Sequence, residues 1–142
     1  MSNPASKTDV ASILISFFVP CFNEERNIEN TLEVIKKAAV NFNYEIIVVD
    51  DGSTDLTSDS TERYIKKNPG LNIKLITRVK NVGLGANYFE SANAALGTYF
   101  MLVNGDNVEP VDALKKIIGK AGDADMVIPN FGKADNREWN RR

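Results

Sequence analysis

Histidine is absent from the 142 residues. That removes the Ser-His-Asp triad, the Cys-His dyad, a histidine general base and histidine-type zinc sites. Cysteine occurs once, at Cys21, which excludes an internal disulfide and fits a reducing compartment. No basic neighbour would lower its pKa, so Cys21 reads as a small packed residue rather than a nucleophile. No apolar run is long enough to span a bilayer: 11–22 is apolar but too short. It is no signal peptide either, because a polar segment precedes it and no small-residue cleavage site follows. The net charge of −2 does not point to nucleic acid as a partner. Any metal here must be held by oxygen.

What is present is ordinary globular composition, 43% hydrophobic and 25% charged, enough at this length for one domain with a real core. Residues 1–11 are small and polar and read as a flexible N-terminus. From there, residues 12–142 read as one unit. Ile13 to Val19 is the first expected strand, stopped by Pro20, which cannot donate into a central ladder. Asn23 is expected as the next helix's N-cap, with Glu24 and Glu25 in its first turn and Ile28, Leu32, Ile35 and Ala39 at helical spacing. Glu45 to Val49 is the second strand, followed by a helix from about Asp55, its expected cap, to Lys67. Ile73 to Thr77 is the third strand. A helix opened by Asn81-Val-Gly-Leu-Gly85 carries Leu84, Tyr88, Ala92 and Leu96. Tyr99 to Val103 is the fourth strand. Pro110, at position N1, starts a helix with Val111, Leu114, Ile118 and Ala121 on one face. Met126 to Ile128 is a fifth short strand, and 131–142 reads as irregular and basic. This alternation predicts a three-layer α/β/α fold with a mostly parallel sheet.

Three strand ends are polar beyond the needs of a turn. They are Pro20-Cys-Phe-Asn-Glu24, Asp50-Asp51-Gly-Ser-Thr-Asp55 and Asn104-Gly-Asp-Asn107. A parallel sheet puts all three on one edge, where open α/β sheets bind ligands. Asp106 between two amides is an oxygen set suited to Mg2+ or Mn2+, and it is also the composition of an Asx-type turn. Asp51 can accept a nucleobase N–H, and Glu24 could contact the same base; both could equally serve loop and helix geometry. Gly83 and Gly85 lie where free N–H groups at a helix start receive phosphate. The third glycine of a dinucleotide fingerprint is missing, Tyr88 standing in its place, and the first strand-helix turn has no glycine, so an NAD-binding fold is disfavoured. Lys133, Arg137, Arg141 and Arg142 surround Trp139, either as a phosphate clamp or as a solvated charged end.

On these motifs the chain resembles family 2 glycosyltransferases of the GT-A fold, from about Ile15 onward. Pro20-Cys-Phe-Asn-Glu24 is similar to the family's Pro-x-x-Asn-Glu opening, and Val48-Val-Asp-Asp-Gly-Ser-Thr-Asp55 is the most specific block. Asn81-Val-Gly-Leu-Gly-Ala86 resembles the third motif, and Asn104-Gly-Asp106 takes the place of the DxD. The resemblance implies an inverting hexosyltransferase that uses a GDP- or UDP-linked sugar and Mg2+ or Mn2+. Carried across by position, Pro20, Glu24 and Asp51 would hold the base, with Phe22 in the same donor-site motif, and Asp50 would support the nucleoside pocket. Asp106 would ligate the metal, with Asn104 in the place of the first acid and Asn107 and Glu109 as helpers. No residue can be assigned as catalytic base.

Within the family, the Gly-Asp-Asn-Val-Glu-Pro turn, the Ala-Asp-Met-Val-Ile-Pro stretch and the arginine-rich end are most similar to transferases that load a sugar onto a polyprenyl phosphate. Arg137, Arg141 and Arg142 would then position the acceptor phosphate. The expected location is cytoplasmic, or peripheral at the cytoplasmic face of the membrane, in cell-envelope glycan synthesis. Two rivals stand beside this reading: a transferase acting on a surface glycan or another acceptor, and a nucleotide-sugar-binding fragment without catalysis.

Overall fold

The structure, a computed structural model, describes residues 12–129. Four strands alternate with four helices: β1 (Ile15–Cys21), α1 (Ile28–Ala38), β2 (Tyr44–Asp50), α2 (Thr57–Lys67), β3 (Ile73–Thr77), α3 (Leu84–Ala94), β4 (Tyr99–Leu102) and α4 (Val111–Ile118). The strands form one all-parallel sheet in the order β3-β2-β1-β4. In the middle of the sheet Phe18 stands opposite Ile47 on one side and Leu102 on the other.

The two central strands are apolar on both faces, as a covered parallel sheet requires. Ile15, Phe17, Val19 and Cys21 of β1 alternate onto one face with Ile46 and Val48 of β2. Ile28, Leu32 and Ile35 of α1, Tyr64 of α2, and Leu114 and Ile118 of α4 cover that face. The opposite face carries Phe18, Ile47 and Val49, packed with Ile76, Phe100 and Leu102. Tyr88 of α3 meets the Phe18 and Phe100 rings edge-on at 6.0 and 5.2 Å. Each fully buried Leu, Ile or Phe side chain contributes roughly 1.5–3 kcal/mol, so the three-helix face carries most of the stabilisation.

Several boundaries differ from expectation, each for a local reason. β1 runs through Pro20 to Cys21. The Pro20 carbonyl accepts from Gly105 on the β4 side, where the paired ladder already ends at Phe18 and Leu102, so the missing proline donor falls where no ladder continues. Asn23 is not a cap. It sits at φ 58°, and α1 starts later, with Asn27 at the N-cap and Glu29 as the first-turn acid. α2 begins at Thr57 with Leu56 at its N-cap. Asp55 acts from one residue earlier, its Oδ1 accepting the Thr57 N–H at 3.0 Å. α3 ends at Ala94, which leaves Leu96 outside it and exposed. Pro110 is the N-cap of α4 rather than N1, and Ala121 lies beyond that helix. Met126 to Ile128 forms no strand; it lines a cavity with Tyr99 to Met101 at the open edge of β4 but makes no ladder with it. No described helix is long and apolar enough to cross a membrane.

Candidate functional site

All four strands point the same way, so the segments after β1, β2, β3 and β4 leave by one edge. The first two are stitched together. Asn23 takes the left-handed backbone region that Asn tolerates. Its N–H then donates to Ser53 Oγ at 2.9 Å, and its Oδ1 accepts the Thr54 N–H at 2.9 Å. The Glu24 N–H donates to Thr57 Oγ1 at 2.8 Å. The Glu25 N–H donates to Asp55 Oδ2 at 3.1 Å, while Glu25 Oε2 accepts the Leu56 N–H at 3.0 Å. Each loop thus supplies side chains that satisfy the other's backbone, which a surface turn would otherwise leave to water.

Asp50 and Asp51 are both buried and face different ways. Asp50 closes its own loop, accepting the Ser53 N–H at 2.9 Å and the Ser58 hydroxyl. Asp51 grips the segment after β3: Oδ1 accepts the Val82 N–H and Oδ2 the Gly83 N–H, each at 2.9 Å. Burial raises the Asp51 pKa, but the Val82 N–H, the Asn87 amide, the Gly83 N–H and the Arg78 charge together hold it below the usual carboxylate range. Gly52 makes this approach possible. At φ 78°, a Cβ there would lie 2.7 Å from the Asn81 nitrogen.

The β4 exit is held differently. The Gly105 N–H donates to the Pro20 carbonyl at 3.2 Å, and the Gly105 carbonyl accepts from Thr31 Oγ1 at 3.0 Å. A Cβ on Gly105 would come within 2.6 Å of Cys21 Sγ, so glycine lets β4's end lie directly on β1's. Asn104 and Asp106 are exposed beyond it. Asn104 Nδ2 reaches Glu109 Oε1 at 3.4 Å, and Asn107 adopts φ 57°.

The carboxylates share the edge that the topology gives them, without closing into one cluster. Cys21 is buried, and its pKa is pushed up first by that burial and then by Asp50, Glu24, Asp106 and Asp55. A thiol so placed stays protonated and inert. Glu24 itself accepts from Asn27 Nδ2 at 2.8 Å, and Phe22 stands exposed on the same rim. Pro20 is half-buried in β1, where its carbonyl is taken by Gly105. Gly83 is the N-cap of α3, at φ 92°; its N–H is committed to Asp51, so it is not free for phosphate. Gly85 lies in the first turn of α3 with Leu84 and Ala86, whose N–H groups have no intrahelical acceptor. Arg137, Arg141 and Arg142 lie outside the described residues.

The reading from sequence missed the cross-brace made by Asn23, Glu25 and Asp55, and it missed Arg78. Paired Asn-Glu and Ser-Thr-Asp runs after neighbouring strands were the available signal for the first. Nothing local distinguished Arg78.

Among the described residues no three acidic, cysteine or histidine side chains gather to hold an ion. Asp106 and Asn104 nevertheless fit a divalent cation that takes its remaining ligands from a diphosphate, as Mg2+ sites commonly do. Glu109 beside Asn104 leaves its Oε2 buried without a hydrogen-bond partner, a further oxygen in that cluster.

Comparison with known proteins now defines the class. The model for glycosyl transferase family 2 matches residues 16–142. The chain belongs to that family, and its fold is the GT-A fold of the family's solved members. It is 33% identical over 104 residues to a dolichol-phosphate mannosyltransferase of Pyrococcus furiosus, a match covering 73% of this chain and 29% of that protein. It is also 33% identical over 108 residues to a dolichyl-phosphate beta-glucosyltransferase of Dictyostelium discoideum, covering 71% and 33%. Glucosyl-3-phosphoglycerate synthase of Mycobacterium tuberculosis, solved with Mn2+, UDP and glucosyl-3-phosphoglycerate, superposes with a TM-score of 0.59 at 25% identity, over 76% of this chain and 39% of that one. The chain spans about a third of the length of the curated relatives it matches.

Proposed function

We propose that this chain is the donor-binding part of an inverting glycosyltransferase that moves a hexose from a nucleoside-diphosphate sugar to a polyprenyl phosphate. The observation that supports the reading is that one sheet edge carries Glu24, Asp50 and Asp106 near Cys21 and Asp51 against the first turn of α3. Converging carboxylates repel one another unless cations or N–H donors compensate, and a metal-bound nucleoside diphosphate supplies both.

In this reading Asp51 orients the nucleoside. Its two oxygens each accept one backbone N–H, and an ionised carboxylate has about four acceptor sites, so room remains for an imide N–H of the base. Glu24 and Pro20 border the base, Phe22 offers a ring face, and Asp50 keeps the loop in shape. The first-turn N–H groups of Leu84, Gly85 and Ala86 meet phosphate oxygen at the positive end of the helix. A divalent cation, Mg2+ or Mn2+, would be held by Asp106 with Asn104, and would supply neutralisation of the charge left on the departing diphosphate. A polyprenyl phosphate is already an anion and needs little help from a base. The names of the archaeal and slime-mould relatives support that acceptor class. Such an acceptor would place the enzyme at a membrane surface, on its cytoplasmic face.

Calorimetric titration of UDP and GDP, with and without Mn2+, tests the donor site. Metal-dependent binding of one nucleotide, lost in Asp106→Ala, is the expected outcome; no binding of either contradicts the reading. Replacing Arg137, Arg141 and Arg142 together by Ala should weaken use of the acceptor and spare donor binding, and equal loss of both would remove them from the acceptor site.

A further inference from the structure

Behind the Asp51 carboxylate stands a cation that the donor reading does not use. Arg78 follows β3 directly, and its N–H donates to the Asp50 carbonyl at 2.9 Å. Its Nε donates to Asn87 Oδ1 at 3.2 Å, and Nη2 pairs with Glu90. One guanidinium therefore grips two residues three apart on α3. Asn87 is fully buried, and its N–H reaches the Gly83 carbonyl at 3.3 Å. With Oδ1 taken by Arg78, the amide's Nδ2 makes no hydrogen bond of normal geometry among the described residues. The amide still acts on Asp51, as does the Arg78 charge. The chain of contacts runs from Arg78 through Asn87 to Gly83 and Asp51, the carboxylate and helix start assigned above to the donor.

We propose that Arg78 is a positioning residue for the donor site: by gripping Asn87 and Glu90 it seats the start of α3 on Asp51, so that this carboxylate and the first-turn N–H groups keep a fixed spacing for one nucleoside diphosphate. The proposal rests on the donor-site reading. Arg78 touches no substrate in it and acts through Asn87, Glu90 and the backbone of Gly83. The planar fork is what matters, because a lysine ammonium is a point charge on a flexible stem and does not reproduce two fixed contacts at once.

The test titrates UDP and GDP in the presence of Mn2+ into the wild-type chain and into Arg78→Lys, Arg78→Gln and Glu90→Gln. Amide hydrogen exchange is followed at Val82 and Gly83. Arg78→Gln and Arg78→Lys should both weaken the preferred nucleotide by about tenfold, the worth of one charge-assisted hydrogen bond. Exchange at Val82 and Gly83 should quicken while β1 and β2 stay protected. Wild-type affinity in Arg78→Lys would overturn the proposal in favour of a simple charge effect, and unchanged exchange at Val82 and Gly83 would overturn it outright. If the wild type binds neither nucleotide, the donor reading has failed and the proposal falls with it; if the wild type binds and the Arg78 variants bind equally well, only the positioning role falls. Should Arg78→Gln fail to fold, Glu90→Gln at the exposed end of the fork decides by the same two readouts: weaker binding with faster exchange supports the role, and no change removes it.

Discussion

Where β1 and β2 leave the sheet, the two loops hold each other: Asn23 and Glu25 satisfy the backbone of one, Ser53, Asp55 and Thr57 that of the other. Where β4 leaves, the backbone of Val103 and Gly105 is fixed to β1 and Thr31, while Asn104 and Asp106 on either side of Gly105 are exposed and Asn104 reaches no further than Glu109 in its own turn. The difference shows a division of labour on one edge. The β1–β2 side, where the proposed function puts the nucleoside, is built in advance at the cost of burying Asp50 and Asp51, while the β4 side, where it puts the metal, carries an exposed carboxylate on a short tether. Replacing motif residues on the braced side should therefore cost stability, whereas on the β4 side it should spare the fold.

The comparison breaks most readily at Gly52. A Cβ there meets Lys80 and Asn81 backbone at 2.7 Å, at φ 78°, so Gly52→Ala combines strain and overpacking and should cost about 3 kcal/mol or more. Urea unfolding would show it, and a midpoint like wild type would mean that the loops part easily. Asp55→Asn should cost about 1–3 kcal/mol, because an amide replaces a carboxylate that accepts from Glu25 and Thr57.

That substitution also carries a pH signature. Burial raises the Asp55 pKa, but hydrogen bonds from Thr57 and from the Glu25 N–H hold it below the ordinary carboxylate range; Asp51 is likewise lowered. A folded-state pKa below the unfolded one gives stability that is complete above the unfolded value, near 4, and is lost as pH falls through the folded value. Wild-type stability should therefore decline below about pH 4, and the decline should be shallower in Asp55→Asn. An equal slope in both proteins would detach Asp55 from the brace. The smallest structural effect belongs to Asp106→Ala, which should leave the unfolding midpoint where it was and change only metal-dependent binding. A large drop in stability there would erase the distinction between the two sides.

Much of this was legible in the chain itself. The apolar runs of β1 and β2 and the breaker at 68–70 gave the α/β alternation, and β3 falls at Ile73–Thr77 as expected. Helix starts were less legible, because Asn23 looks like a cap by residue type yet spends its side chain on a neighbouring loop, and Asp55 divides its carboxylate between the start of α2 and that loop. Such a tertiary use of a polar group leaves no local periodicity. Met126 to Ile128 has strand composition, but a strand exists only where a ladder forms, and sequence pattern does not report that this segment stays across a cavity from β4. At the site, Asp51 and Asp106 stand at strand ends as read, whereas the commitment of the Gly83 N–H to Asp51 follows from the close approach at Gly52, which only the fold reveals.

The central claim, that the carboxyl edge of the sheet is a metal-assisted nucleotide site, is tested most directly by paramagnetic broadening in amide NMR spectra with UDP or GDP and a trace of Mn2+. The account predicts selective loss of the Gly105, Asp106 and Asn107 signals, dependent on nucleotide, while Leu14 and Gly97 at the opposite edge stay sharp. Broadening centred away from Asp106, or no nucleotide dependence, would contradict it.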